Sequence, residues 1–352
     1  MSRFWSSIVH NITPYIPGEQ PKLNNLIKLN TNENPYPPSP KVLDALREEI
    51  ADSLRLYPDP YADRVKTTLA SLYTLSPQHV FAGNGSDEVL AFLFQALLKH
   101  DHPILFPDVT YSFYPVYCQL YEIPYKAIPV TADLDINLDD YCHPNGGIIF
   151  PNPNAPTGLP VSQTDIEKLL LRNTESVVVI DEAYVDFGTE SSISLIQKYP
   201  NLVVVQTLSK ARSLAGLRVG FAIGHPELIE ALERVKNSFN SFPLSRFAIT
   251  GAVAALEDQD YFEKTRQQII RTRDILMAHM EEMGFFILPS RANFIFVHHP
   301  NYNARDLAQQ LRMRSIVVRH FPFPRINQYL RITVGTDEQC NALLAALTEI
   351  LS

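Results

Sequence analysis

The sequence predicts an α/β protein with a large domain, in which helices flank a mostly parallel sheet, and a smaller α+β domain. Short apolar runs alternate with helical patterns through the middle of the chain, as expected for consecutive βα units. The length of 352 residues is sufficient for two domains. From about residue 245 the pattern changes to long helices and few strands. We therefore assign an N-terminal arm to residues 1–38, the large domain to 39–244 and the small domain to 245–352.

The strands predicted for the large domain are continuous apolar runs, which are typical of strands buried on both faces of a sheet. They are Val80–Phe81, Ile104–Phe106, Ile148–Phe150, Val177–Ile180, Leu202–Val205 and Val219–Ile223. In the small domain we expect a helix at Tyr261–Met283 and strands at Phe294–Val297 and Leu330–Thr333. Side chains able to cap helix N-termini occur at Ser39 before Pro40, at Ser162 with Asp165, and at Thr336 with Gln339.

Composition and charge argue against several classes of protein. With 19% charged residues and a net charge of −8, the chain lacks the basic character of a nucleic-acid-binding protein, and a small anionic substrate would need a local cationic pocket. Cys118, Cys142 and Cys340 are widely spaced, and neither they nor the ten histidines show the spacing of a metal site. No run reaches the roughly 18 apolar residues of a membrane span, and residues 1–15 lack a signal-peptide pattern. We therefore expect a cytoplasmic protein.

Polar residues follow the predicted strands at the point where each strand ends. The segments are Gly83-Asn84-Gly85-Ser86-Asp87, Thr110-Tyr111, Pro151-Asn152-Pro153-Asn154, Asp181-Glu182-Ala183-Tyr184 and Thr207-Leu208-Ser209-Lys210. Ligands of open α/β sheets bind at the carboxyl ends of the strands, so these segments are expected to form one site. Taken singly, each has an ordinary explanation, such as a turn, a solvated lysine or a cap. Their joint occurrence at successive strand ends favours a functional site.

One part of this predicted site suits a phosphate group. A glycine-rich turn that enters a helix offers backbone N–H groups and the positive end of the helix dipole. Ser86, Ser209 and Arg218 are able to complete the cradle. Hydrogen bonds to a charged phosphate contribute roughly 1.5–3 kcal/mol each.

The other part suits an aromatic ring that carries an aldehyde. The Asp181 carboxylate can keep a pyridine nitrogen protonated, since opposite charges attract strongly in a partly desolvated site. Tyr184 can reach a ring hydroxyl, Tyr111 can stack on the ring face, and Lys210 supplies the amine for imine formation. Together these groups are those needed to bind pyridoxal 5′-phosphate and use it as an electron sink.

The same segments resemble those of fold-type I aminotransferases, which depend on pyridoxal phosphate. Thr207–Ala211 resembles the Schiff-base segment, Asp181–Tyr184 the segment at the pyridine nitrogen, and Pro153–Gly158 the NPTG-type turn. More narrowly, the chain resembles the histidinol-phosphate aminotransferase family from about Thr13 to its C-terminus. The motifs that carry this likeness are Leu29–Pro35, Tyr57-Pro58, Gly85–Glu88 and Leu330–Thr336.

The resemblance implies roles for individual residues. Lys210 forms the Schiff base and moves the proton between substrate and cofactor, Asp181 pairs with the pyridinium, and Tyr184 binds the ring oxygen. The other residues expected to bind the cofactor are Gly85, Ser86, Asp87, Tyr111, Asn154, Thr207, Ser209 and Arg218. Tyr57 is expected to reach the cofactor phosphate of a partner subunit. This implies a homodimer, in which the N-terminal arm packs with the small domain and with the partner.

The resemblance also implies a substrate site formed by Arg331, Arg319, Tyr15 and Asn34. Arg331 matches the arginine that binds the substrate carboxylate in aminotransferases. Histidinol phosphate has no carboxylate, so this arginine is expected to bind the substrate phosphate or the carboxylate of glutamate. The implied ping-pong reaction converts L-histidinol phosphate and 2-oxoglutarate into imidazole-acetol phosphate and L-glutamate, a step of histidine biosynthesis.

The chain departs from the family pattern at two positions. Ala155 replaces the asparagine that usually contacts the ring oxygen, so either Asn154 takes over this contact or Tyr184 makes it alone. Arg212 adds a positive charge close in sequence to Lys210.

Other functions fit the same motifs. A threonine-phosphate decarboxylase or an aromatic amino-acid aminotransferase would use the same scaffold and cofactor, because specificity depends on a few pocket side chains. A non-catalytic protein that binds pyridoxal phosphate is a more remote alternative, since the sequence leaves no room for an added partner-binding domain.

Overall fold

The computed structural model describes residues 2–21 and 25–352, which form two sheets with helices packed against them. Met1 and residues 22–24, all within the predicted arm, lie outside the described residues. The strands are β1 (Ile27–Leu29), β2 (Val80–Asn84), β3 (Ile104–Pro107), β4 (Tyr125–Ile128), β5 (Ile148–Pro151), β6 (Val178–Asp181), β7 (Leu202–Thr207), β8 (Val219–Gly224), β9 (Phe286–Ile287), β10 (Phe294–His298), β11 (Ile316–His320) and β12 (Leu330–Thr333). The helices are α1 (Ser7–Asn11), α2 (Pro40–Glu48), α3 (Asp63–Tyr73), α4 (Gly85–Leu97), α5 (Tyr114–Tyr121), α6 (Gln163–Arg172), α7 (Pro226–Phe239), α8 (Arg246–Glu257), α9 (Gln259–Glu282), α10 (Ala304–Met313) and α11 (Asp337–Leu351).

The large sheet has seven strands in the order β2-β8-β7-β6-β5-β3-β4. All neighbouring pairs are parallel except those of β8, which runs antiparallel to β2 and β7. Both faces are buried, because Leu202 and Val204 of β7 enter one apolar core while Val203 and Val205 enter another. This alternation explains the continuous apolar runs of the sequence. The predicted α/β class with a mostly parallel sheet is confirmed.

The smaller sheet has five strands in the order β1-β11-β12-β10-β9. β1 comes from the N-terminal arm and pairs in parallel with β11, and the remaining pairs are antiparallel. Leu330 and Ile332 of β12 pack in a core with residues of α9, α10 and α11. Because strand residues alternate between faces, Arg331 and Thr333 of the same strand lie on the opposite face. That face borders the large domain.

Packing also bears on where the two domains divide. The apolar residues of α8, among them Ala252 and Leu256, belong to the core of the large sheet, although residues 245–352 are assigned to the small domain from the sequence. We therefore propose a division between α8 and α9, and the boundary at 244/245 remains a prediction.

The helix caps follow the sequence signals. Ser39 accepts a hydrogen bond from Lys41 N at the start of α2, which a serine cap stabilises by about 1 kcal/mol. Thr336 and Gln339 form both bonds of a capping box. Ser162 accepts from Asp165 N, but its hydroxyl also donates to the Asp165 carboxylate, so this pair lacks the reciprocal bond to the backbone. No helix in residues 2–21 or 25–352 is long and apolar enough to cross a membrane.

Candidate active site

The carboxyl ends of the large-sheet strands face the smaller sheet across one cavity. Most of the site residues predicted from the sequence line it, namely Tyr15, Ser86, Asp87, Tyr111, Asp181, Tyr184, Thr207, Ser209, Lys210, Arg218, Arg319 and Arg331. The large domain supplies the groups around Lys210, and β11 and β12 supply the two arginines. The cavity therefore lies where two separately folded sheets meet, a common place for a ligand site.

Lys210 lies in the loop after β7, and its amine extends into the cavity. Lys210 Nζ donates a hydrogen bond to Thr31 O at 3.3 Å and lies 5.7 Å from the centre of the Tyr184 ring. Asn34 does not line the cavity, because its Nδ2 donates to the carbonyl oxygens of Lys210 and Ala211. Asn34 thus holds the backbone of the lysine loop and does not offer its amide to a substrate.

Asp181 ends β6 with a buried carboxylate, and its side chain is only 5% exposed. Its oxygens accept hydrogen bonds from Tyr114 Oη at 3.0 Å and Ala183 N at 3.3 Å. No cation among the described residues acts on it, and desolvation raises its pKa to about 6. A protonated ring nitrogen would supply the missing counter-charge, so this site fits the pyridine nitrogen of pyridoxal phosphate.

A second region of the cavity is a cradle for an anion. Gly85 begins α4 with φ +80°, and a Cβ there would overlap the Arg218 guanidinium. This helix N-terminus lies beside Ser86, while Thr207 Oγ1 donates to Ser209 Oγ at 2.9 Å. Arg218 pairs with Asp87 at 2.9 Å, and an entering phosphate would compete for this cation. The donors present fit the phosphate group of the same cofactor.

Arg331 and Arg319 form the cationic wall of the cavity. They occupy opposite positions on the neighbouring antiparallel strands β11 and β12. Arg331 Nη2 donates to Asn30 O at 3.0 Å, while its Nε is buried without a hydrogen-bond partner in the described residues. Burial lowers the pKa of Arg331, since a guanidinium without a counter-anion is costly to desolvate. A bound phosphate or carboxylate would accept a hydrogen bond from Arg331 Nε and would also serve as the counter-anion of the guanidinium.

The aromatic residues close the cavity from the side of the arm. Tyr15 stacks on Phe113 with ring centres 4.7 Å apart and lies 6.3 Å from the Tyr111 ring. Tyr111 Oη donates to Asp87 Oδ1 at 3.0 Å, which fixes the plane of its ring. Tyr111 is therefore held in one orientation at the cavity wall.

The structure does not bring three further residues into this cavity. Asn154 is buried, and its Nδ2 donates to Val109 O and Thr157 Oγ1, while Ala155 lines the cavity. Tyr57 is 79% exposed and stacks on Phe242, outside the cavity of its own chain. The Arg212 guanidinium donates to Ala255 O and lies 3.6 Å from the centre of the Phe262 ring. Its charge is directed at the end of α8 and away from the cavity.

Two site residues were missed by the sequence analysis. Asn32 lines the cavity and donates to Tyr184 Oη, and Tyr114 binds Asp181. Asn32 lies within the Leu29–Pro35 motif, which gave no role to it, and Tyr114 lies three residues after Tyr111. Neither spacing alone distinguishes these residues from ordinary polar and core positions.

The arrangement brings a primary amine between a buried carboxylate, an anion cradle and a pair of arginines. Such a site suits a phosphorylated aromatic cofactor and an anionic amine substrate. In the part of the chain that the structure describes, no group of three His, Cys, Asp or Glu side chains is placed to hold a metal ion.

Comparison with known proteins gives consistent relatives over the whole chain. The model of aminotransferases of class I and II matches residues 24–347. The histidinol-phosphate aminotransferase of Aromatoleum aromaticum is 61% identical, over 100% of both chains. Among solved structures, the histidinol-phosphate aminotransferase from Sinorhizobium meliloti in complex with pyridoxal-5′-phosphate is similar with a TM-score of 0.90 and 23% identity, covering 100% of this chain and 98% of that one. The L-threonine-O-3-phosphate decarboxylase from Porphyromonas gingivalis has a TM-score of 0.78 and 23% identity, covering 92% and 99%.

Proposed function

The chain belongs to the histidinol-phosphate aminotransferases within the class I and II aminotransferase family, and on that premise we propose that it transfers the amino group of L-histidinol phosphate to 2-oxoglutarate. The products are imidazole-acetol phosphate and L-glutamate. The observation that carries the proposal is the position of Lys210 and Asp181 at the ends of neighbouring strands, facing Arg319 and Arg331 across one cavity. The amine, the ring-binding carboxylate and the anion-binding arginines are thus in one place.

Pyridoxal 5′-phosphate, when bound, supplies an aldehyde that reacts with amines and a ring that delocalises the electrons left at the substrate Cα. Asp181 would hold its ring nitrogen protonated, and Tyr184 would donate a hydrogen bond to its phenolic oxygen. Tyr111 would pack against the ring face. The cradle of Gly85, Ser86, Ser209 and Arg218 would hold its phosphate.

Lys210 has two tasks in this proposal. Its Nζ would be the group that holds the aldehyde end of the cofactor until a substrate amine enters. Its free amine would be the base that holds the proton removed from the substrate Cα. A proton transfer by a positioned amine contributes typically 10²–10⁴-fold to the rate, and Asn34 keeps the backbone of this residue in place.

Arg319 and Arg331 would bind the anionic end of each substrate in turn. Histidinol phosphate presents a phosphate, and 2-oxoglutarate presents carboxylates. Since the chain carries a net charge of −8, an anionic substrate is attracted only where such a local cationic wall exists. Tyr15 would cover the bound substrate from the arm.

We further propose that the protein works as a homodimer in the cytoplasm. Tyr57 is exposed, as are Leu54 and Leu56 just before it in the chain, and it stacks on Phe242, which is also exposed. Clustered exposed apolar side chains are typical of a protein interface. A second copy at this surface would receive Tyr57 at its cofactor phosphate. The free thiols of the three cysteines are compatible with a reducing compartment.

The first test is an absorbance spectrum of the purified protein supplied with pyridoxal phosphate, before and after histidinol phosphate is added alone. We expect a visible band that disappears as the cofactor is converted to its pyridoxamine form, and that returns on addition of 2-oxoglutarate. A band that persists with histidinol phosphate would contradict the proposed substrate.

Two further amines distinguish the other functions of this scaffold. O-phosphothreonine with release of CO₂ would indicate a decarboxylase, and faster conversion by phenylalanine would indicate an aromatic aminotransferase. The full-length relatives at about 60% identity favour histidinol phosphate over both.

A further inference from the structure

We propose that Asn32 is a positioning residue that fixes the direction of the Tyr184 hydroxyl, so that its proton points toward the phenolic oxygen of the cofactor. The inference rests on the proposed function, since it assumes that Tyr184 faces this oxygen. It concerns a residue of the arm, which the sequence motifs leave without a role.

Every polar atom of Asn32 takes part in a hydrogen bond. It is 1% exposed, and its backbone has φ +56°, a left-handed conformation that asparagine tolerates better than most residues. Its N donates to Thr333 Oγ1, its Oδ1 accepts from Thr333 Oγ1 and its O accepts from Asn293 Nδ2, each at 3.0 Å. Its Nδ2 donates to Tyr184 Oη, also at 3.0 Å.

The direction of each of these bonds follows from the donors available. Thr333 is buried, and Asn32 Oδ1 is the acceptor that the described residues offer to its hydroxyl proton. The oxygen of the Asn32 amide is thereby fixed toward Thr333, and its nitrogen must face Tyr184. An amide nitrogen is only a donor, so the Tyr184 oxygen accepts and its own proton is left free to donate elsewhere.

Of the residues that the structure describes, Asn32 is the one that hydrogen-bonds the Tyr184 hydroxyl. The side chain of Ala155, which packs with Phe294 beside Tyr184, carries no polar group, and the Asn154 amide nitrogen donates to Val109 O and Thr157 Oγ1. The free proton of Tyr184 therefore has its acceptor in the cavity that both Tyr184 and Lys210 line. The phenolic oxygen is the acceptor that the proposed cofactor offers there.

The same contacts connect the hydroxyl to the smaller sheet. Thr333 and Arg331 lie on one face of β12, and Arg331 donates to Asn30 O while Thr333 binds Asn32. The strand that carries the proposed substrate arginine thus also holds the segment that orients Tyr184. Asn32 is the link between the two domains at this point.

The decisive variant is Asn32→Asp, compared with Tyr184→Phe. Aspartate keeps the size of the side chain, tolerates φ above zero and accepts from Thr333, but it cannot donate to Tyr184. The Tyr184 proton would then turn toward the introduced carboxylate and leave the phenolic oxygen without a donor. We expect the pH at which the visible band of the bound cofactor changes to rise by on the order of one unit in both variants, because the phenolic oxygen loses the hydrogen bond that stabilises its negative charge.

A double variant shows whether Asn32 acts through Tyr184. In the Tyr184→Phe background, the uncharged substitution Thr333→Val should add no further shift, because the proton that it redirects is absent. Thr333→Val also replaces Asn32→Asp as the single variant if the latter does not fold. It frees the Asn32 amide to rotate, so the pH at which the visible band changes should rise here too. A shift in Tyr184→Phe with none in Asn32→Asp or Thr333→Val would overturn the inference, as would additive shifts.

Failure of the proposed function gives a different result. If the wild-type band titrates and shifts as described but histidinol phosphate does not convert it, the substrate is wrong and the role of Asn32 is unaffected. If Tyr184→Phe leaves the titration of the band unchanged, Tyr184 does not bind the phenolic oxygen and the inference is wrong.

Discussion

At the scale of single residues, the cavity holds ionisable groups, Asp181 and Arg331, for which residues 2–21 and 25–352 supply no counter-charge. The pKa of Asp181 rises from its ordinary value of 3.8 to about 6 because the carboxylate is desolvated without a cation. Since this folded-state pKa lies above the unfolded value, ionisation of Asp181 costs stability as the pH rises between the two values. At neutral pH the cofactor-free protein therefore contains an unfavourable charge that the cofactor ring nitrogen would neutralise.

We expect Asp181→Asn to stabilise the cofactor-free protein at neutral pH and to impair transamination. The gain is at most about 3 kcal/mol, from a shift of roughly two pKa units, and it should fall to well under about 1 kcal/mol near about pH 4, where the carboxyl group is protonated in the folded protein and about half protonated in the unfolded protein. Urea denaturation of both cofactor-free proteins at the two pH values measures it. With cofactor bound the order should reverse, and equal unfolding free energies of the cofactor-free proteins at neutral pH would argue against this account of Asp181.

At the scale of elements, α7 holds the loop that carries Tyr57. Lys236 of this helix is 1% exposed, donates to Pro60 O at 2.8 Å and lies 4.5 Å from the centre of the Tyr61 ring. Its charge is balanced by Glu233, which also pairs with Lys66 of α3. A buried ammonium with these partners fixes the loop just after Tyr57.

Lys236→Met should therefore loosen this loop. We expect a loss of about 2 kcal/mol in the free energy of unfolding. The loss is smaller than when a buried charge is left without any partner, because Glu233 still pairs with Lys66. Affinity for pyridoxal phosphate should also fall, since Tyr57 is the proposed phosphate ligand of the partner subunit. The matched control is Arg234→Met on the same helix, whose exposed pair with Glu230 is worth about 0.5 kcal/mol or less. If the two substitutions lowered the free energy of unfolding and the cofactor affinity equally, the buried position of Lys236 would not be what stabilises the loop.

Elements with a strong local pattern could be predicted from the sequence, and those defined by tertiary contacts could not. The run Leu202–Val205 predicted β7 because all of its side chains are buried. β4 was missed because it is an edge strand whose first three residues, Tyr125, Lys126 and Ala127, are exposed. Nothing in the sequence near Asn32 indicates its bond to Tyr184, since the two are brought together only by the packing of the arm between the two domains.

In the active site too, features with a strong local sequence pattern could be predicted, and features set by tertiary contacts could not. The family, the cofactor and the reaction expected from the motifs are confirmed by full-length relatives, because these depend on residues that follow strong strands. The roles of individual residues depend on side-chain direction. Asn154, expected at the cofactor ring, donates to Val109 O and Thr157 Oγ1, and Asn34 binds the backbone of the lysine loop.

At the scale of the whole molecule, the proposed dimer makes each active site depend on two chains. Tyr57 lies outside the cavity of its own subunit, stacked on Phe242 and 79% exposed, whereas Lys210 lies inside it. If Tyr57 serves the partner, the two residues of one functional site come from different subunits. Substitutions at these two positions should then complement each other.

Mixed dimers of Lys210→Ala and Tyr57→Ala subunits test this arrangement. The Lys210→Ala homodimer should be inactive, and the Tyr57→Ala homodimer should bind pyridoxal phosphate roughly 10- to 100-fold more weakly, as expected for one lost hydrogen bond to a charged group. In the mixed dimer, one site receives Lys210 from one subunit and Tyr57 from the other and is complete. At a cofactor concentration that leaves the Tyr57→Ala homodimer mostly empty, the mixed dimer should therefore recover about half of the wild-type activity, since one of its two sites is intact. If Tyr57 served its own subunit, each site of the mixed dimer would lack one of the two residues and no activity would return.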